Sequence, residues 1–311
     1  GAAGDIVIKV NDVEIATPTL IDGSATALIP AENIVNGENT VEVTYDGFTN
    51  STTFNTITNI VTKDNFFDFF TEDGELKEEI PFDELIFKGD FDNLVDLIII
   101  ERPLTITGDE AVLNNMAINI FSGDVVLDNM NFTADMALGT LIHAEGDNIN
   151  LTNLNINYTP EGDYDAVAIN LADCVDVNIL NNTIFFESHV TSDEQVSVAV
   201  QAVNTDNVVM DHNNITTKLP CVYVNEYDED YYMMGSNNVN PVRLKDCNGL
   251  VFTNNNINST TNDYSASFPT IQSIYIIGCS NSIIDHNNIS MIDKMTPSGM
   301  DNYMYGINFG H

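Results

Sequence analysis

The chain has little positive charge and no tryptophan. Its 311 residues carry nine Lys and Arg against 47 Asp and Glu, for a formal net charge of −38. Nucleic acids and anionic membrane surfaces are bound through basic patches. A sequence with so few basic residues argues against nucleic acids and anionic membranes as partners. No apolar run reaches the roughly 18 residues that a membrane-spanning helix needs. There is also no CxxC pair, so we expect no structural zinc site.

What the sequence does contain is a repeat. Six units align on a final apolar residue. Each has an apolar residue five positions earlier, five of the six have another seven positions earlier, and most residues between the −5 position and the anchor are polar. Apolar residues on alternate positions indicate strands rather than helices. Units of about 20–50 residues indicate a solenoid. We therefore predict a parallel β-helix, right-handed by the rule for parallel crossovers. The six units end at Phe132, Ile156, Ile184, Ile215, Ile257 and Ile289.

Strands upstream of each unit are also readable. The predicted segments are Leu97–Ile100, Leu104–Thr107, Ala117–Ile120, Leu141–His143, Ala166–Leu171, Val196–Val203, Pro241–Leu244, Ser273–Ile277 and Tyr305–Phe309. The chain stops inside the last of these, so we expect a fragment of a longer protein. The variable unit length predicts insertions at the corners, the longest at 225–240, 259–270 and 291–304.

Two columns of the repeat carry a distinctive residue type. Two positions before each anchor, the last four units have Asn182, Asn213, Asn255 and Asn287, which predict a ladder of corner amides in left-handed backbone. Ten positions before the anchor every residue is small. Three of these are Cys174, Cys247 and Cys279, which we interpret as buried thiols in a packing slot. Cys247 and Cys279 lie on neighbouring coils and are candidates for a disulfide.

The N-terminal residues lack the repeat and divide the chain into three parts. Residues 1–58 show short alternating strands and turns that predict an Ig-like β-sandwich, with one strand at Ala25–Ile29. Residues 59–84 are predicted to be a linker and a helical cap. In it, Phe66, Phe67, Phe69 and Phe70 cover the open end of the solenoid, with Asp64 as N-cap. Residues 85–311 form the β-helix, truncated at its C-terminus.

Candidate binding residues concentrate near the inserted loops, where most of the 11 Tyr fall. Exposed Tyr on a rigid scaffold suits recognition of sugar rings or protein partners. We predict a non-catalytic surface site at Tyr231, Tyr232, Arg243, Tyr264 and Tyr305. The acidic loop residues Glu226, Asp228 and Asp230 are a weak candidate for Ca²⁺, since no EF-hand pattern is present.

Two arrangements keep an enzyme open as an alternative. Arg243 and Lys245 lie two apart in one predicted strand and so share its outer face, as a polysaccharide lyase would use basic groups. Asp211 and Asp285 occupy one column beside His212 and His286, and paired carboxylates serve glycoside hydrolysis. Because four of the other units have Asn in the His column, we interpret both His as corner residues. No nucleophilic triad or phosphate-binding loop is visible.

Several segments resemble a known family. Phe66–Phe70, then Pro81–Leu85 and Arg102–Gly108, lead into Asn-rich coils, and with Val239–Leu244 and Ser265–Tyr275 they resemble adhesin-like surface proteins of methanogenic archaea. Residues 1–57 are similar to the Ig-like repeats common in such chains. The resemblance implies an extracellular, cell-surface protein that adheres to glycans or surface proteins of other microbes or a host. It transfers no catalytic residues. A structural stalk remains a further alternative.

Overall fold

The computed structural model describes residues 2–35, 37–190, 195–221, 239–264, 270–293 and 303–310. Its chain divides into two compact units, Gly1–Ile60 and Val61–His311. Strand is the dominant secondary structure of the described residues, as predicted. Among them, no helix has the length and apolar content to cross a bilayer.

The first unit contains two antiparallel sheets. Four strands pair in the order β3-β2-β5-β6, and a second sheet pairs β1 with β4. Ile6, Ile8 and Val10 are its buried apolar residues. The predicted strand at Ala25–Ile29 is wrong, because that stretch forms no sheet hydrogen bonds and Leu28 is 90% exposed. The strands are β1 (Gly4–Asp5), β2 (Val7–Val10), β3 (Val13–Ala16), β4 (Thr19–Leu20), β5 (Gly37–Tyr45) and β6 (Phe48–Thr56), with a 3-10 turn at Ala31–Asn33.

The second unit is a parallel β-helix. It begins with β7 (Ile60–Val61), a 3-10 turn at Lys63–Asn65 and α1 (Phe66–Phe69). The coils that follow consist of β8 (Glu84–Asp92), β9 (Leu97–Ile100), β10 (Leu104–Asn114), β11 (Ala117–Ile120), β12 (Val125–Asp128), β13 (Asn131–Ala134), β14 (Thr140–Ala144), β15 (Asp147–Thr152), β16 (Asn155–Tyr158), β17 (Ala166–Ala172), β18 (Val175–Leu180), β19 (Thr183–Glu187), β20 (Ser197–Val203), β21 (Asp206–Asp211), β22 (Asn214–Cys221), β23 (Val239–Lys245), β24 (Val251–Thr253), β25 (Asn256–Tyr264), β26 (Thr270–Ile277), β27 (Ile283–Asp285), β28 (Asn288–Asp293) and β29 (Tyr303–Gly310).

Each full coil contributes one strand to each of three faces. Sheet A is β12-β15-β18-β21-β24-β27, sheet B is β13-β16-β19-β22-β25-β28, and both join at β10. Sheet C is β9-β11-β14-β17-β20-β23-β26-β29. All these pairs are parallel and in register, so Leu127, Leu151, Ile179 and Met210 stack on one another inside the core. The strands predicted upstream of each unit are thereby confirmed. Handedness stays a prediction.

The corner between sheets A and B differs from the prediction in one respect. The left-handed residue lies three positions before the anchor, not two. It is Asn129, Asn153, Asn181, His212, Asn254 or His286, each with φ between 53° and 57°. The Asn residues at the next position, Asn182, Asn213 and Asn255, point inward instead and are 1% exposed. The side chains of the two adjacent corner residues point in opposite directions, outward at the left-handed residue and inward at the next one. The left-handed backbone and the buried amide therefore fall on adjacent positions.

The cap is short but closely packed. Phe66, Phe69 and Phe70 are fully buried in the solenoid core, whereas Phe67 is 44% exposed. The Phe66 ring stacks on Phe70 at 4.8 Å between centroids. The predicted N-cap Asp64 is wrong: Thr62 and Asn65 form the capping box, with the Thr62 N–H donating to Asn65 Oδ1 at 2.6 Å. This capping box closes the 3-10 turn at Lys63–Asn65. The N-cap of α1 is Asn65, which makes no side-chain cap hydrogen bond, so α1 is held to the core by apolar burial.

Candidate functional site

One row of outward side chains runs along sheet C. In the strands of sheet C from β11 to β26, a polar residue stands between two buried apolar ones, and Tyr275 in β26 is itself buried. In β29, Asn308 stands between the half-buried Ile307 and the exposed Phe309. The strands are in register, so these residues stack from coil to coil. We call them the polar row: Asn119, His143, Asn170, Gln201, Arg243, Tyr275 and Asn308.

A kink in each strand widens this outer surface. Leu141 and Ile142, like Ala168 and Ile169, are consecutive residues that both belong to the core. The alternation of inward and outward side chains therefore slips by one residue. Thr140 consequently lines the same cavity as His143. The same slip places Gln272 outward, where its Oε1 accepts a hydrogen bond from Asn308 Nδ2 at 3.0 Å.

Hydrogen bonds along the row share one direction. Arg243 Nη1 donates to Gln201 Oε1 at 3.3 Å, and Gln201 Nε2 donates to Asn170 Oδ1 at 2.9 Å. Asn170 Nδ2 lies 2.9 Å from His143 Nδ1, and His143 Nε2 lies 3.1 Å from Glu145 Oε1. Because the Asn170 amide can only donate there, Nδ1 of His143 accepts and Nε2 carries the proton. The chain thus leads from a cation to a carboxylate and orients every group in it.

A pocket of about 550 Å³ lies at the N-terminal end of the row. Its floor is formed by Asn119, His143 and Asn170, and Asp96 lies at its edge. The wall is the segment 136–138, between β13 and β14. Two side chains hold this wall in place. The Asn115 Oδ1 accepts from the N–H groups of Asp135 and Met136 at 3.0 and 3.2 Å, and the Tyr158 hydroxyl donates to the Gly139 carbonyl at 3.2 Å. Burial raises the pKa of Tyr158 to about 12, so its hydroxyl remains a donor.

An aromatic ring and a carboxylate stand beside the pocket floor. Phe121 is 44% exposed, and its ring meets the His143 ring edge-on at 6.0 Å between centroids. Glu145 holds His143 from the other side, with about half of its side chain exposed. Exposed aromatic rings with amide and carboxylate groups around a concave site suit a polyhydroxylated ligand, which presents both apolar faces and hydroxyls.

The predicted binding residues fall into two groups. Arg243 and Tyr305 lie on sheet C, two strands apart, and Tyr305 is 42% exposed. Tyr264 ends β25 of sheet B, and its side chain is outside the described part. Tyr231, Tyr232 and the candidate calcium ligands Glu226, Asp228 and Asp230 lie outside the described residues. Within the described ranges no group of three or more His, Cys, Asp or Glu could hold a metal ion.

The two structural columns lie away from this surface. The Asn182 Nδ2 donates to Asn213 Oδ1 at 3.0 Å, Asn213 Nδ2 to Asn255 Oδ1 at 2.9 Å, and Asn255 Nδ2 to Asn287 Oδ1 at 3.1 Å, inside the A–B corner. Cys174, Cys247 and Cys279 are free thiols at the C–A corner, so the structure has no disulfide there. The Cys247 N–H donates to Cys279 Sγ at 3.4 Å. A hydrogen bond between the two thiols lowers the pKa of Cys279 and raises that of Cys247.

The Asp–His pairs considered for hydrolysis are local corner contacts. Asp211 Oδ2 lies 2.6 Å from His212 Nδ1, and Asp285 Oδ2 lies 2.7 Å from His286 Nδ1. Thr253 and Asn254, one coil on, donate to Asp211 Oδ1 at 2.6 and 2.8 Å. These groups stabilise a solvent-exposed corner; none of them lines the pocket on sheet C.

The hydrogen bonds to Asp211 predict that the stability of the folded protein depends on pH. Partial burial raises the pKa of Asp211, but hydrogen bonds from Thr253, Asn254 and His212 outweigh it and hold the pKa below its usual 3.8. A carboxylate with a lowered pKa stabilises the folded state above the usual value and loses that contribution as pH falls through the folded one. Thermal melts should show that Asp211→Asn loses less stability than wild type below about pH 3.8. Asp285→Asn is the matched control, and equal slopes for all three proteins would contradict the assignment.

Sequence reasoning found Arg243 in the polar row but missed His143, Glu145, Asn170 and Phe121. A pattern that marks His143 and Asn170 was present, although it does not mark Glu145 or Phe121. Each upstream strand carries an apolar–polar–apolar triplet such as Ile142-His143-Ala144 or Ile169-Asn170-Leu171. Aligning the upstream strands on these triplets stacks the polar residues in one column. The downstream strands, whose apolar columns define the repeat, do not contain this row.

Comparisons with known proteins complete the description. No family model matches the chain, and no curated protein does. Two solved structures align with it: the catalytic domain of a GH87 α-1,3-glucanase in complex with tetrasaccharides, and the Dettilon tailspike protein. The first is 11% identical over 99% of this chain and 76% of that chain, with a TM-score of 0.33. The second is 10% identical over 80% of this chain and 68% of that chain, with a TM-score of 0.17.

Proposed function

We propose that this chain binds a glycan on the outer surface of sheet C, as a non-catalytic segment of a cell-surface adhesin. The observation that carries the proposal is the pocket of about 550 Å³ that opens onto the polar row. Its volume lies within the range of about 300–1,000 Å³ usual for small-ligand sites. The row extends that site along the solenoid axis, so a linear ligand has further contacts beyond the pocket.

The chemistry of the row suits hydroxyl groups. The amides of Asn119, Asn170 and Gln201 each offer donors and acceptors, and a sugar hydroxyl is both. Phe121 supplies a flat apolar ring for the C–H face of a pyranose. The hydrogen-bond chain keeps these groups in place before a ligand arrives, which reduces the entropy lost on binding.

The adhesin context extends this proposal to the whole chain. In it, the antiparallel sheets of residues 1–58 are an Ig-like spacer, and the β-helix is the right-handed, ligand-binding part of an extracellular archaeal-type surface protein. The partner is a glycan or glycosylated surface protein of another microbe or a host. Ca²⁺ at Glu226, Asp228 and Asp230 remains a prediction that an EDTA arm of the binding assay tests.

The second candidate is a β-helix polysaccharide hydrolase or lyase. One observation favours it: His143 in the pocket is held by Glu145 in a defined tautomer, as a general acid–base is. Hydrolysis also requires a second carboxylate across the scissile bond, for which Asp96 is the nearest candidate in the lining. Lyase chemistry would use Arg243 and Lys245, further along the row.

The proposed function predicts that Phe121→Ala weakens glycan binding about tenfold, the loss expected when one aromatic contact of about 1.4 kcal/mol is removed. A glycan array identifies a ligand, and titration calorimetry compares the variant with wild type. Phe48→Ala, an exposed Phe in the first unit, is the matched control and should bind normally. Equal affinity for all three proteins would remove Phe121 from the site.

Product analysis separates the two candidates. If the chain is an adhesin, a bound oligosaccharide keeps its length after prolonged incubation. If the oligosaccharide is shortened by wild type but not by Glu145→Gln, the hydrolase or lyase candidate is correct and the non-catalytic proposal is wrong. A wild type that binds no glycan, with or without Ca²⁺, leaves the stalk as the better description.

A further inference from the structure

Arg243 is a half-buried cation with no carboxylate partner among the described residues. Its strand neighbours Val242 and Leu244 are fully buried, so the side chain emerges through an apolar surface onto the polar row. Within the described residues its only hydrogen bond goes to the neutral Gln201, at 3.3 Å. Its buried Nε has no partner there, and no described carboxylate lies within ion-pair distance. In a chain with 47 acidic and nine basic residues, this is an unexpected arrangement.

Such a charge is costly in the free protein. Withdrawing an ion from water is unfavourable unless a counter-ion or several hydrogen bonds replace the hydration. Burial indeed lowers the pKa of Arg243, although Tyr275 on the next strand raises it in part. A guanidinium nevertheless keeps its proton at any ordinary pH. The site therefore retains a cation on the polar row, and its buried Nε donor is unpaired among the described residues.

Lys245 places a second cation on the same side of the strand. It lies two residues beyond Arg243, its side chain is 42% exposed, and its Nζ lies 4.0 Å from Asp246 Oδ2. Among the described strands of sheet C, these two are the only Lys or Arg residues. The sheet therefore has one local basic position, three coil steps from His143, or about 14 Å at the spacing of parallel strands.

We propose that Arg243 and Lys245 form a subsite for the anionic group, a carboxylate or a sulfate, of one sugar unit in a glycan that lies along the polar row. This inference rests on the proposed function. The planar guanidinium pairs with either anion through parallel N–H donors, and Lys245 adds charge from the side. Arg243 then gains the counter-ion that the described residues do not provide.

The ligand expected here carries an isolated acidic unit in an otherwise neutral chain. Asp96 and Glu145 lie at the pocket end of the row, where further anionic groups would be repelled. The net charge of −38 also disfavours a dense polyanion, although at physiological salt this repulsion is screened beyond about 8 Å. A sugar chain with one acid about three units from the pocket satisfies both ends.

The test uses the whole chain and three oligosaccharides of equal length: neutral, with one hexuronate unit, and fully acidic. A counterpart with one sulfate in place of the hexuronate carboxylate distinguishes the two anions. The carboxyl-reduced form of the hexuronate oligosaccharide is the matched neutral control. Calorimetry should show the singly acidic form binding at least about tenfold more tightly than its reduced form, as charge-assisted hydrogen bonds imply. Arg243→Gln should abolish that difference between the acidic form and its reduced form, even though loss of its hydrogen bond to Gln201 also lowers the affinity for both.

Variants make the outcome decisive. Lys218→Gln removes a cation on sheet B that is paired with Glu187, and it should leave the affinity for every oligosaccharide unchanged. Arg243→Gln should melt no lower than wild type, since it removes an unmatched charge. If wild type binds acidic and neutral forms equally, or if Arg243→Gln weakens both alike, the subsite is wrong while glycan binding stands. If no oligosaccharide binds, both the subsite and the proposed function are overturned.

Discussion

Asn213→Ala is expected to destabilise the β-helix by about 4 kcal/mol, because each buried polar group left without a partner costs about 1–3 kcal/mol. The Asn213 Oδ1 accepts both the backbone N–H and the side-chain amide of Asn182, each at 3.0 Å. Its Nδ2 donates to the Ile179 carbonyl at 2.8 Å and to Asn255 Oδ1 at 2.9 Å. All four groups are inside the A–B corner, where water cannot replace the lost amide.

The matched control is Asn256→Ala. Asn256 also takes part in an Asn ladder, donating to Asn214 Oδ1 at 2.9 Å, but it lies on the exposed side of sheet B. Water can replace its bonds, so we expect a loss below about 1 kcal/mol. Urea unfolding followed by far-UV circular dichroism measures both, since the chain has no Trp for fluorescence. Similar losses for the two variants would contradict a structural role for the inner ladder.

Gly74→Ala is expected to detach the N-terminal cap. Gly74 has φ +81°, and a Cβ there would lie 1.8 Å from the Leu97 carbonyl oxygen, a backbone atom of the first sheet C strand. The Gly74 carbonyl accepts from the Ile99 N–H at 2.9 Å, which joins the cap to that strand. Since the backbone cannot yield locally, Phe66, Phe69 and Phe70 would leave the core and expose an apolar coil. A solenoid without its cap aggregates.

Gly89→Ala separates steric clash from backbone strain. Gly89 has a similar φ of +84°, but nothing lies within 4 Å of a Cβ built there. It should cost about 1 kcal/mol, the usual penalty for a left-handed non-glycine residue. Soluble yield and light scattering on heating report the difference. A Gly74→Ala protein that stays monomeric with wild-type melting would show that the cap is not needed to close the solenoid.

The strands were predictable because burial repeats with a period of two. Residues such as Leu127, Leu151 and Ile179 must face inward regardless of the length and conformation of the loops, so the apolar columns of the repeat follow from the sequence. The sequence prediction places the left-handed corner residue one position too late, because Asn occupies both adjacent corner positions. Asn181 takes the left-handed backbone, and Asn182 buries its amide. Composition cannot distinguish these roles, since both favour the same residue.

The site was harder to predict. Arg243 was recognised as outward-facing because its apolar neighbours required it. Arg243 joins Gln201, Asn170 and His143 in one hydrogen-bonded row only because strands whose paired residues are 27 to 42 positions apart in sequence are in register. The pocket also requires the wall at 136–138, which Tyr158 and Asn115 fix through contacts across sheet corners. No local pattern marks these contacts.

By itself the sequence determined the class of fold, the coil boundaries, the inner columns and the shortage of positive charge, because each depends on short-range alternation or on composition. The tertiary structure alone decided which outward residues share a surface. Stacking converts positions 27 to 42 residues apart into neighbours at hydrogen-bond distance. It thereby aligned Glu145, His143, Asn170, Gln201 and Arg243, and it left the guanidinium without a counter-ion among the described residues. That unmatched charge is a property of the stacked coils and not of any segment.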